Sequence, residues 1–199
     1  LQRLLTFQRA DAVAIAALVV VLAVFHLAGT GAIDSLRYER DAVLAGEAWR
    51  LVTGHLVHAD TVHLGWNLLG VLIVGFLFAR DYPPRAWLVI LLVSTAVTDL
   101  GFLLLEPQLE WYVGFSGVLH GLMAAGLVAW LRTTRDPVTW LVTALFAAKL
   151  AWEHWAGALP FTAGSLSLPV VHEAHTYGAV GGLLAALWLA RRTPRAASL

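Results

Sequence analysis

Ser116 stands between glycines in the run Gly114-Phe115-Ser116-Gly117-Val118-Leu119-His120-Gly121, at the head of an apolar segment. A serine hydroxyl attacks a carbonyl only when a base within hydrogen-bond reach takes its proton. A Gly-x-Ser-Gly pattern invites that reading, yet four residues mean little until a base is found for them. A candidate lies far downstream, where Ala174-His175-Thr176-Tyr177-Gly178 opens the last apolar segment and Gly182 follows. His120 is four residues after Ser116 and shares its helical face, placed to pack against His175 and hold its ring. Upstream, His63 and Asn67 are also spaced i, i+4, so both project to one face. Acyl transfer needs donors aimed at the developing oxyanion, and His63, Asn67 and the Ser116 backbone N–H would make three. No carboxylate is evidently placed to orient His175, so a Ser116–His175 dyad is expected rather than a triad.

These residues sit in a chain of 199 residues that is 59% hydrophobic and 13% charged. Its mean hydropathy is +0.75. Such values belong to integral membrane proteins, with room for one compact helical bundle over residues 1–199. Net charge is zero, which gives nucleic-acid binding no electrostatic basis. The absence of cysteine excludes disulfides, thiolate zinc sites and a cysteine nucleophile. No cofactor and no metal are expected. The chain opens at Leu1 and not at methionine, so residues are expected before it. The first apolar run is too long for a signal-peptide core and reads as a retained span.

Six apolar segments, 11–29, 61–79, 85–105, 114–131, 137–155 and 173–190, can each cover roughly 30 Å of hydrocarbon, which takes about 20 residues. Arginines cluster in alternate connectors: Arg3 and Arg9, Arg80 and Arg85, Arg132 and Arg135, then Arg191, Arg192 and Arg195. Stretches 106–113 and 156–172 hold neither Lys nor Arg. The positive-inside bias then puts both termini in the cytoplasm, with tryptophans near both ends of the spans as an aromatic belt. Spans two, four and six all begin outside. His63, Asn67, Ser116 and His175 therefore share one depth below the outer surface. Polar groups in a bilayer are costly unless they face the protein interior or a watery cavity, and independent structural residues have no reason to share a level.

The spacings Gly117-x-x-x-Gly121 and Gly178-x-x-x-Gly182 would let spans four and six approach closely, although plain helix packing uses the same pattern. Asn67 alone would serve equally as an interhelical hydrogen-bonding group. Lys149 and Glu153, at i, i+4 on span five, can neutralise each other. Glu153 is nearer the outer surface and is a candidate for contact with substrate or an incoming amine. Asp99 has no evident partner, and His26 and His55 read as structural or interfacial. The first connector, 30–60, mixes charges with Ile33, Leu36, Trp49 and Leu51, as short amphipathic helices in an interface do.

The ordered set His58-x-x-x-x-His63-x-x-x-Asn67, Gly114-Phe115-Ser116-Gly117 and Ala174-His175-x-x-Gly178-x-x-x-Gly182 resembles the rhomboid family of intramembrane serine proteases. Trp49-Arg50 looks like that family's Trp-Arg element. The resemblance implies an all-α fold of six transmembrane helices, Ser116 as nucleophile and His175 as base. It further implies His63, Asn67 and the Ser116 amide as oxyanion hole, with His58 beside it in support. Two departures stand out: His120 where many rhomboids carry an aromatic ring, and Lys149, Glu153 and His154 in a usually apolar helix. These look like the rhombosortase branch. That branch implies cleavage of Gly-Gly-type C-terminal anchoring tails from exported proteins at a bacterial inner membrane, with the site facing the periplasm. The expected partners are thus membrane-anchored substrates and lipids, with water or an amine as acyl acceptor.

Other readings are a general rhomboid protease of single-span substrates, an inactive rhomboid-like protein that binds membrane clients, and a haem or metal protein suggested by eight histidines. Retention of Ser116, His175, His63 and Asn67 together argues against the inactive protein. Against a metal, His58 and His63 are five apart rather than four, and no carboxylate-rich cluster accompanies them.

Overall fold

The computed structural model describes residues 9–28, 30–160, 164 and 166–192. Arg3 and Arg195, which entered the orientation argument, and Gly29, the expected end of the first span, lie outside them. The regular structure of the described chain is helical apart from one short ladder. Its long helices are α1 (Arg9–Leu27), α5 (Thr61–Phe78), α6 (Pro84–Leu105), α7 (Ser116–Thr133), α8 (Pro137–Ala156) and α9 (Glu173–Arg192). Three stretches, Arg9–Leu27, Thr61–Asp81 and Pro84–Leu105, are long and apolar enough to cross a membrane. Helices α7, α8 and α9 are of similar length but carry Ser116, His120, Lys149, Glu153 and His175, which lower their apolarity.

Local signals explain the boundaries. Asp60, in extended conformation, caps α5 by accepting from the His63 N–H at 2.7 Å, and Asp136 caps α8 through Thr139 in the same way. Prolines start α6 and α8, where a missing N–H costs nothing. The segment expected from residue 114 begins as a helix only at Ser116. Gly114 has φ of +122°, a conformation that side chains resist, and it turns the chain sharply into α7.

Helix α7 is central and packs against α5, α6, α8 and α9, while α1 lies on α5. Outward positions such as Val13, Val20, Leu88, Leu92, Leu141 and Leu145 are exposed apolar side chains, as a lipid-facing surface requires. The buried core joins Leu22, Val71, Phe78, Ile90, Val118, Leu122 and Ala186 from five of the long helices.

The connector between α1 and α5 holds short helices α2 (Thr30–Leu36), α3 (Arg40–Leu44) and α4 (Arg50–Thr53). It also contains a strand absent from the sequence reading. β1 (Tyr38–Glu39) pairs antiparallel with β2 (Trp111–Tyr112), matching Tyr38 to Tyr112 and Glu39 to Trp111. Arg40 donates to the Phe102 and Leu103 carbonyls at 3.0 Å each, satisfying acceptors that the end of α6 leaves open. Arg50 is buried and binds the Asp34 and Arg37 carbonyls at 2.9 Å and Glu47 at 2.5 Å. The connector is therefore a brace, tied at one end to the strand that leads into Gly114.

Candidate active site

The nucleophile turn is fixed from two sides before α7 begins. The Gly114 N–H donates to the Gly54 carbonyl at 3.0 Å, and the buried Tyr112 hydroxyl donates to the Gly114 carbonyl at 2.7 Å. Ser116 is the first residue of α7, so its N–H is among those a helix start leaves without an intrahelical partner. The positive end of the helix dipole faces the same point, which favours a developing negative charge there.

Helices α7 and α9 run side by side from the same end of the bundle, and glycines set their separation. A Cβ on Gly178 would overlap the Gly117 carbonyl, and one on Gly182 the Gly121 carbonyl. Only because both positions are glycine can the two backbones touch. That contact carries His175, on the first turn of α9, to Ser116. Nε2 of His175 lies 3.0 Å from Ser116 Oγ. The His120 ring is stacked on the His175 ring, with centroids 4.1 Å apart and planes 17° apart. His120 Nδ1 donates to the Ser116 carbonyl at 2.6 Å, which returns the stack to the nucleophile's own backbone.

The sequence offers no evident carboxylate for His175 and offers Glu153 as a candidate substrate contact; the structure brings the two together. In the structure Glu153 is 2% exposed and its Oε2 lies 2.9 Å from His175 Nδ1. Its signal was present in the sequence. Glu153 sits in the outer half of its helix, at the level already assigned to the other polar groups, and a carboxylate buried there needs a partner. The expected neutralisation by Lys149 is also present, with Nζ 2.5 Å from Glu153 Oε2. Among the described residues, His120, Glu153 and His175 each offer a donor atom within 4.8 Å of one another, an arrangement able to hold a metal ion. The Lys149 ammonium contacts all three.

His63, Asn67, Ser116, Lys149, Glu153 and His175 line one cavity of about 630 Å³, to which α5 and α8 both contribute walls. Gly114 leaves room for the His63 ring, since a Cβ there would lie 2.6 Å from Nε2. Asn67 is buried and donates from Nδ2 to the His63 carbonyl at 2.9 Å, which leaves that amide a second N–H. His58 is fully buried outside the cavity, edge-on to His63 at 5.1 Å between ring centroids. Burial, with His63 and His26 nearby, pushes the His58 imidazole down to about 3, so it stays neutral at ordinary pH.

Peripheral polar residues also find partners. Asp99 does have a partner, the buried His55, whose Nε2 lies 3.1 Å from Asp99 Oδ1 and joins the connector to α6. His26 Nε2 lies 3.4 Å from Thr61 Oγ1 at the head of α5.

A model of the rhomboid domain matches residues 45–192 of this sequence, a stretch that holds every polar group of the cavity. The chain belongs to the rhomboid family. It is 26% identical over 178 residues to the rhomboid protease GlpG of Salmonella paratyphi A, covering 86% of this chain and 59% of that protein. It is 27% identical over 155 residues to the rhomboid protease GlpG of Salmonella choleraesuis, covering 74% of this chain and 51% of that protein. The chain thus spans between half and three-fifths of the length of these curated relatives. Rhomboid proteases are serine endopeptidases that act within membranes, and this rhomboid chain has helices long and apolar enough to cross one.

Proposed function

We propose that this chain is an intramembrane serine endopeptidase with Ser116 as nucleophile and His175 as general base. The observation that carries the reading is the 3.0 Å approach of His175 Nε2 to Ser116 Oγ at the wall of a cavity. In the reaction, Oγ attacks the scissile carbonyl while its proton passes to His175 Nε2. The tetrahedral oxyanion forms beside the Ser116 N–H, the second N–H of Asn67 and the His63 ring. His175 then returns the proton to the leaving amine. Water, deprotonated by the same nitrogen, releases the acyl group and restores Ser116; an amine acceptor would take the identical route. Glu153 acts behind the imidazole. By accepting from Nδ1–H it favours the tautomer with a bare Nε2 and steadies the imidazolium that forms. The expected dyad thereby becomes a Ser116–His175–Glu153 arrangement.

In this reading six helices span a bacterial inner membrane with both termini cytoplasmic, and the cavity faces the periplasm. The arginine distribution supports that topology. Reporters fused at Arg132 and at Gly164 should mark opposite sides, and marking of one side by both would contradict it.

The substrate is a membrane-anchored protein with a C-terminal tail of the Gly-Gly type. A helix in lipid satisfies its own backbone and hides its carbonyls, so cleavage needs a segment that unwinds locally. Glycine lowers that cost because it is a poor helix former. The charged Lys149–Glu153 pair in α8 and His120 in α7 are the features that favour this branch over a general rhomboid protease. Co-expression with a Gly-Gly-tailed reporter and with an ordinary single-span reporter decides between them. Preferential cleavage of the first, lost when its glycines become leucines, is the expected result. Equal cleavage of both, indifferent to the glycines, would leave a general rhomboid protease.

A further inference from the structure

Lys149 lies against three polar groups rather than paired with one. Its Nζ lies 2.5 Å from Glu153 Oε2, 2.5 Å from His120 Nε2 and 3.1 Å from His175 Nδ1. An ammonium has three N–H donors and no acceptor, which restricts where the protons of its neighbours can be. At His120 the assignment follows atom by atom. The Ser116 carbonyl only accepts, so the 2.6 Å contact requires a proton on His120 Nδ1 and leaves Nε2 to accept from Lys149. At Glu153, Oε2 has lone pairs for both Lys149 and His175. A proton on His175 Nδ1 has the carboxylate 2.9 Å away as its acceptor, and the negative charge there favours it. Nε2 of His175 is left bare toward Ser116 Oγ.

These contacts close a ring. It leaves Ser116 at its carbonyl, passes through His120, Lys149, Glu153 and His175, and returns at the Ser116 hydroxyl. Lys149 is the only member that donates in both directions along it. Without the ammonium, His120 Nε2 has no donor among the described residues, and the ring stacked on His175 meets α8 only through its stacking on Phe146. Glu153 would also be held only by the imidazole it is meant to orient.

We infer that Lys149 is a positioning residue whose ammonium ties His120 and Glu153 together and so holds the Glu153 carboxylate where it accepts from Nδ1–H of the His175 tautomer that activates Ser116. The inference rests on the reading of Ser116 as nucleophile and His175 as its base. It reaches past charge neutralisation of Glu153, because a mere counter-charge needs neither His120 nor a fixed set of N–H directions.

Lys149 lines the same cavity as Ser116, and its side chain is 23% exposed, so a small amine can reach the place it occupies. The test uses the full chain in detergent micelles and follows the rate at which a fluorophosphonate labels Ser116. Lys149→Ala should label about ten- to a hundredfold more slowly, the usual cost of losing a group that orients a reacting one. Ethylammonium should restore most of that rate, and tetramethylammonium, which has no N–H, should not. His120→Phe keeps a ring stacked on His175 but removes the acceptor. It should be slowed to a similar degree and gain nothing from ethylammonium. Labelling of Lys149→Ala at the wild-type rate would overturn the inference, as would a loss that ethylammonium does not relieve. Should Lys149→Ala fail to fold, His120→Phe decides alone, and a wild-type rate there overturns it. Absence of labelling in the wild-type chain would instead sink the underlying reading, before any variant is compared.

Discussion

Glu153 Oε2 lies 2.9 Å from His175 Nδ1, so a carboxylate carried by α8 stands directly behind the imidazole carried by α9. Glu153→Gln keeps the shape but can present an N–H where His175 needs an acceptor, favouring the tautomer that cannot take a proton from Ser116. Turnover should fall by roughly a hundred- to ten-thousandfold with KM little changed. Steady-state kinetics on a cleavable reporter checks this. Unchanged turnover would remove Glu153 from the mechanism.

His63→Ala and Asn67→Ala should each lower turnover far more than substrate binding, because their donors meet the oxyanion only as it forms. Losing one such donor typically costs roughly 2.7–4 kcal/mol, about a hundred- to a thousandfold in rate. A change confined to KM would assign these residues to substrate binding.

Gly178 lies against the Gly117 carbonyl with no space for a Cβ. Gly178→Ala must push α9 from α7, and overpacking of this kind usually destabilises by roughly 1–3 kcal/mol. Because the same contact holds His175 on Ser116, labelling of Ser116 should fall together with thermal stability. Full labelling in this variant would mean that the pair does not depend on the helix separation.

Asp60 accepts from the His63 N–H at 2.7 Å and from the Ser167 hydroxyl. Those bonds, Ser167 first, hold its carboxyl below the usual range. A depressed carboxyl stabilises the folded state above its unfolded value, and that contribution is lost as pH falls through the folded value. Asp60→Ala should therefore cost about 0.5–2 kcal/mol at neutral pH, as loss of a helix cap does. The gap to wild type should narrow below about pH 4, near the ordinary aspartate value. Unfolding midpoints between pH 7 and pH 3 would show it, and a constant gap would contradict the capping role.

Much of the site was legible because membrane helices constrain depth and face so strongly. The i, i+4 pair His63 and Asn67, the glycines at 117, 121, 178 and 182, and His175 one turn into α9 could all be placed from spacing alone. The contact of Glu153 with His175 was not legible, because its i, i+4 relation to Lys149 within α8 accounts for its charge and no spacing tells how α8 is rotated against α9. The Tyr38–Tyr112 pairing was invisible for a related reason. Two-residue strands carry no periodicity, and their partners are set by how the connector folds back over α6. Asp99 and His55 likewise meet only through that fold-back.

The central claim is that Ser116 is a nucleophile activated by His175, and mass spectrometry of fluorophosphonate-treated protein tests it most directly. The expected result is one adduct on the peptide containing Ser116, missing from Ser116→Ala and strongly reduced in His175→Ala, with the double variant no worse than either alone. An adduct on another residue, or one on Ser116 that persists undiminished in His175→Ala, would contradict it.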